Sequence, residues 1–193
     1  EGVIPLLRRA FPEAALHVET ATFKLFGIPE AAVDAAMADA DLAGLGVGIG
    51  FYPNFPENHI VLTARTASAA EAGEKLRLAG ALVEERLGKH IFARGSETLE
   101  GIIAGLLTER HLTLGVAESC TGGLITDRLT DVPGSSAFLE RGVVTYSNAA
   151  KISLLGVPEA VIGEHGAVSA ETARLMAEGV RRLAATDLGI AVT

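Results

Sequence analysis

At 193 residues, with 49% apolar content and a mean hydropathy of +0.35, the chain can bury the core of one large domain or two small ones. Its 16 basic and 24 acidic residues give a formal charge of −8, and division after Phe92 leaves 8 basic and 12 acidic residues on each side. Neither half has the basic excess that binding a phosphate backbone requires, so nucleic acid is not an expected partner.

A single cysteine, Cys120, excludes an intramolecular disulfide and a multi-cysteine zinc site, and suits a reducing cytoplasm. No run approaches about 18 apolar residues, and the N-terminus has neither a charged nor an apolar leader region, so no membrane span or signal peptide is expected. The chain begins at Glu1 rather than Met and stops in the apolar run Ile190-Ala191-Val192-Thr193, which reads as a strand cut at its end. A fragment of a longer protein is therefore expected.

In chain order, a short helix around Ile4 to Ala10 precedes a strand from His17 to Phe26, whose alternation suits a half-buried position. Gly27 breaks it, and Pro29 opens a helix reaching Asp41. Val47 to Phe51 and His59 to Ala64 read as strands joined by a loop that holds Pro53, Asn54, Pro56 and Asn58. An Ala-rich helix from Ala67 to Leu87 closes at Gly88. This order predicts a small α+β unit with helices on one face of a sheet, ending near Arg94-Gly95-Ser96.

Ser96 is the expected N-cap of the next helix, whose stripe Leu99, Ile102, Ile103, Leu106 and Leu107 faces a core. From Leu112 the pattern becomes a strand to Glu118, a turn and helix from Ser119 to Leu129, a strand from Gly142 to Tyr146, and a short helix from Ala149 to Leu155. A helix capped by Ser169 and a strand from Leu188 to Val192 follow. Strands alternating with helices at this spacing predict an open α/β sheet covered on both faces. The expected domains are thus residues 1–94 and 95–193.

The chemistry concentrates in two clusters. Glu118-Ser119-Cys120-Thr121-Gly122-Gly123 falls between a buried strand and a helix, where ligands bind in such sheets. The two glycines permit close backbone approach, and amides at a helix start can hold a phosphate or a developing oxyanion. The same hexapeptide is equally compatible with Ser119 or Thr121 merely capping the helix.

In the second cluster, Tyr146-Ser147-Asn148 ends a strand and Lys151 follows one helical turn later. A serine needs a base to attack an amide, and a lysine serves only when neutral; each pKa unit of depression costs about 1.4 kcal/mol. A solvated Lys151 and an amphipathic Tyr146 are the simpler reading of that cluster alone.

Together the clusters, with Asp131-Val132-Pro133-Gly134-Ser135-Ser136 between them and Leu155-Gly156-Val157-Pro158, His165-Gly166-Ala167-Val168-Ser169 and Ala191-Val192-Thr193 after them, resemble the C-terminal domain of the CinA family and its stand-alone PncC-type relatives. The resemblance covers residues 96 to 193. It implies a nicotinamide mononucleotide deamidase, with the catalytic roles falling on Ser119, Tyr146 and Lys151; no cofactor is expected, and no metal, because His17, His59, His90 and His111 are scattered without ligand spacing. Cys120, Thr121, Gly122, Gly123 and Asn148 are the expected substrate contacts, with the amides of Cys120 to Gly123 holding the oxyanion.

Lys24-Leu25-Phe26-Gly27-Ile28 and Gly50-Phe51-Tyr52-Pro53 resemble the middle, KH-like domain of the same family. A KH module clamps nucleic acid with a Gly-x-x-Gly loop, and Gly27-Ile28-Pro29-Glu30 lacks the second glycine. A homodimer is the expected assembly, with dimerisation the preferred role of the first half. Three further possibilities stay open: Cys120 as a thiolate nucleophile, His165 with Asp127 or Asp131 completing a Ser-His-Asp triad, and a non-catalytic dimerisation or nucleotide-binding module.

Overall fold

A computed structural model describes residues 3–10 and 17–193, which divide into two units, residues 1–97 and 98–193. In the first unit, helix α1 (Val3–Ala10) precedes strand β1 (His17–Phe26). Along β1 the side chains alternate, so Ala21, Phe23 and Leu25 join the core while Thr22 and Lys24 lie on the opposite face. Strands β2 (Val47–Asn54) and β3 (Glu57–Thr66) form a hairpin, and β4 (Ile91–Arg94) completes an antiparallel sheet of order β2-β3-β1-β4.

Helices α2 (Glu30–Met37) and α3 (Ala69–Leu87) cover one face. Ser68 caps α3 by accepting a hydrogen bond from the Glu71 amide, and Ala72, Leu76, Ala79, Val83 and Leu87 line its buried side at helical spacing.

Two features of this unit differ from the sequence expectation. The segment expected as a loop around Pro53 to Asn58 is mostly ladder, with Pro53 paired to Asn58 and only Phe55-Pro56 at the tip. A proline is tolerated there because β2 is an edge strand, where a missing donor costs no ladder bond. Strand β4 was not expected; at four residues it is too short to show a period, and it exists because β1 offers it a partner.

The second unit begins with α4 (Leu99–Glu109), capped by Thr98 rather than Ser96: the Thr98 hydroxyl accepts from the Gly101 amide. Its sheet has three parallel strands, β5 (Leu114–Glu118), β6 (Leu139–Val144) and β7 (Leu188–Val192), in the order β6-β5-β7. Every residue of central β5 is buried, as a strand covered on both faces requires.

Leu114 and Val116 pack with Ala104 and Leu107 of α4 and Leu129 of α5 (Leu124–Thr130). Ala117 packs instead with Leu155 of α6 (Asn148–Leu155) and with Met176 and Val180 of α8 (Ala170–Ala184), the helix that Ser169 caps. A short helix, α7 (Glu159–His165), which was not expected from the sequence, lies between α6 and α8. Strand β6 starts three residues earlier than expected and ends at Val144, so Tyr146 lies beyond it. Among the described residues no helix is long and apolar enough to cross a membrane.

Candidate active site

Glu118 pairs with Val144 on one side and Val192 on the other, so all three strands end at the same edge of the sheet. Ser119 is the first residue past β5 and Thr145 the first past β6, and the Thr145 amide donates to the Glu118 carbonyl at 2.7 Å. This carboxyl edge of a parallel sheet is where α/β folds place their ligands.

The expected helix from Ser119 begins only at Leu124, because residues 119–123 form a turn. The Gly122 amide donates to the Ser119 carbonyl at 3.1 Å, and Gly122 and Gly123 take φ of +63° and +106°, the left-handed region that favours glycine. The turn holds Ser119 nearly buried, at 8% exposure.

What organises the turn is Glu118, a residue the sequence reading passed over. It is fully buried, and its Oε2 accepts from the Thr121 hydroxyl at 2.6 Å and from the Gly123 and Ile125 amides at 3.1 and 3.0 Å. Its Oε1 accepts from the Thr126 amide and hydroxyl, both at 2.8 Å. Burial pushes the Glu118 pKa up, but these donors outweigh it and hold the group below the ordinary glutamate value. The sequence did carry a signal: a carboxylate ending the buried run Leu114-Gly115-Val116-Ala117 must find donors.

The arrangement occupies some of the amides expected to hold an oxyanion. The Gly122 amide is spent on the Ser119 carbonyl, and the Gly123, Ile125 and Thr126 amides on Glu118. Only the Cys120 and Thr121 amides of the expected set are without a partner among the described residues. Thr121 also turns its hydroxyl proton to Glu118.

Lys151 sits in the first turn of α6, which Ser147 caps through the Ala150 amide. It is 1% exposed, and its Nζ lies 2.9 Å from Ser119 Oγ, 2.8 Å from the Thr145 carbonyl oxygen and 3.4 Å from that of Tyr146. Burial lowers its pKa from the ordinary lysine value, and a charge on nearby Cys120 acts the other way. Among the described residues it has no carboxylate partner. The structure thus brings Ser119 and Lys151 into direct contact.

Tyr146 meets Lys151 through its backbone carbonyl, while its side chain is 76% exposed and its phenol has no bond to Ser119 or Lys151. Cys120 is exposed beside the nucleophile turn, and Asn148, the first residue of α6, is exposed at the same edge. His165 ends α7 and lies 3.8 Å from Glu164, with no hydrogen bond to Ser119, so the geometry does not assemble the Ser-His-Asp alternative. Among the described residues no three His, Cys, Asp or Glu side chains could together hold a metal ion.

Fold and site define a two-unit protein whose second unit is a parallel α/β sheet bearing a buried serine–lysine pair at its carboxyl edge. Comparison with known families matches residues 96–193 to the CinA C-terminal domain and residues 20–93 to the damage-inducible protein CinA KH domain. The chain belongs to the CinA family.

A CinA-like protein of Syntrophus aciditrophicus is 66% identical over 193 residues, and one of Geobacter sulfurreducens 46% identical over 195; each match takes in the whole of this chain and 46% of the relative. The chain therefore spans about half the length of the curated relatives it matches. The crystal structure of the competence damage-inducible protein A of Klebsiella pneumoniae matches 49% of this chain and 59% of its own, at 38% identity and a TM-score of 0.49.

Proposed function

We propose that the second unit hydrolyses the carboxamide of nicotinamide mononucleotide to nicotinate mononucleotide and ammonia, as the family resemblance of residues 96–193 implies. The observation that carries the serine chemistry is the 2.9 Å contact between Ser119 Oγ and a buried Lys151 that has no acidic partner among the described residues. A neutral lysine amine has two protons and one lone pair. The Thr145 and Tyr146 carbonyls accept only, so they take the two protons, and the lone pair is left for the Ser119 hydroxyl.

Lys151 takes the serine proton as Oγ attacks the carboxamide carbon. The Cys120 and Thr121 amides stabilise the oxyanion. Lys151 then returns the proton to the departing nitrogen, and ammonia leaves an acyl ester on Ser119. Water, deprotonated by the same lysine, releases the carboxylate and restores the serine. The exposed Tyr146 phenol and Asn148 side chain stand at the same edge, where they contact the substrate. The protein acts in the cytoplasm, as a homodimer.

The test is ammonia release from nicotinamide mononucleotide by the intact protein. Ser119→Ala abolishes turnover, and Cys120→Ala leaves most of it. The reverse pattern would transfer the nucleophile to Cys120.

A further inference from the structure

We propose that Glu118 is a positioning residue for this reaction: its carboxylate clamps the nucleophile turn to helix α5, and its backbone carbonyl ties that turn to the seat of Lys151. The inference rests on the serine–lysine reading of the site.

Three observations carry it. The carboxylate is fully buried and accepts five hydrogen bonds, two from the turn (Thr121 and Gly123) and three from α5 (Ile125 and both donors of Thr126). No cation shares it among the described residues, so uncharged donors alone hold its charge. The Glu118 carbonyl receives the Thr145 amide, and Thr145 in turn receives Lys151 Nζ. One residue therefore sets both ends of the 2.9 Å contact between Ser119 and Lys151.

The neighbouring strand leaves room for this clamp. A Cβ on Gly142 of β6 would lie 2.4 Å from the Oγ1 and Cγ2 of Thr126, the residue that gives Glu118 two of its donors. The space is filled by the threonine instead.

The clamp requires a carboxylate rather than an amide. In Glu118→Gln, an NH2 facing Thr126 can bond its hydroxyl but leaves its amide opposed by another donor. The flipped amide opposes both Gly123 and Ile125. Either orientation loosens the turn without removing Ser119, Lys151 or any group that touches substrate.

The experiment uses the intact protein and two readouts. One is kcat and KM for ammonia release. The other is the labelling rate of Ser119 by a fluorophosphonate, in which the P–F bond breaks as the Oγ–P bond forms, fluoride leaves and the serine proton passes to Lys151. Glu118→Gln is expected to lower kcat and the labelling rate about 100-fold while KM stays nearly constant, the signature of a misplaced nucleophile. Leu107→Ala, a core change in the same unit, serves as the stability control and keeps both rates.

Glu118→Gln protein that labels and turns over like wild type, or that loses rate only in proportion to its unfolded fraction, overturns the positioning role and leaves the serine–lysine reading standing. Wild-type protein that neither releases ammonia nor labels at Ser119 overturns that reading, and the positioning role with it.

Discussion

In the proposed reaction the base is Lys151, whose burial without an acidic partner among the described residues favours its neutral form. The rate of amide hydrolysis should rise with pH through a group titrating below the ordinary lysine value, reported by the pH profile of kcat/KM. Lys151→Arg should be about as damaging as Lys151→Ala, since a guanidinium stays protonated and cannot accept the serine proton. Retention of activity in the arginine variant would remove the lysine as base.

The same shift bears on stability. Between the lowered folded pKa and the unfolded value near about 10.4, the unfolded chain binds the extra proton, so stability rises with pH across that window. Below it, the cost of burying the amine is felt in full. Lys151→Met has no such titration, so the wild-type Tm should gain on that of the variant as the pH rises towards the unfolded lysine value. A wild type that gains nothing on the variant as the pH rises to that value would mean that the lysine is buried charged.

At the scale of elements, the fit between β6 and α5 leaves no room for a methyl group. Gly142→Ala places a Cβ 2.4 Å from Thr126 and should cost about 1–3 kcal/mol in chemical denaturation. Gly163→Ala in α7, where nothing lies within 4 Å, should instead stabilise by about 0.5–1 kcal/mol. Equal effects at the two positions would show that close approach does not distinguish them.

The elements that were legible in the sequence are those with a sustained period. β1 alternates from Ala21 to Leu25, α3 carries its apolar face from Ala72 to Leu87, and the uniformly apolar start of β5 marks a strand covered on both sides. What escaped depends on partners distant in sequence. Four-residue β4 needs β1, the ladder through Pro53 needs an edge position, and α7 is too short to show a stripe. In the site, the order of motifs singled out Ser119 and Lys151, but the occupied amides of Gly122 and Gly123 could not be foreseen without knowing where the Glu118 side chain turns.

Over these 193 residues, the acidic balance offers a phosphate backbone little attraction, although residues 20–93 match a KH domain. Gly27, with φ of +71°, ends β1, and α2 starts at Glu30, so the segment brings a carboxylate where a clamp would need a second glycine. Fluorescence anisotropy with single-stranded DNA should therefore detect only weak binding by the intact protein. Submicromolar affinity with a steep salt dependence would contradict this.

Glu118 and Lys151 are both solvated by dipoles rather than by counterions: the carboxylate by amides and hydroxyls, the amine by carbonyls and a serine. Mobile ions screen exposed charges over a Debye length, and they have little hold on groups enclosed in this way. Exposed pairs such as Arg77–Glu74 and Arg174–Glu178 will weaken as salt is added, at small cost because such pairs contribute little. The acylation step, read as a single-turnover rate at saturating substrate, should stay nearly constant from about 0.05 M to about 1 M sodium chloride, so the site carries its own electrolyte in the form of fixed peptide dipoles.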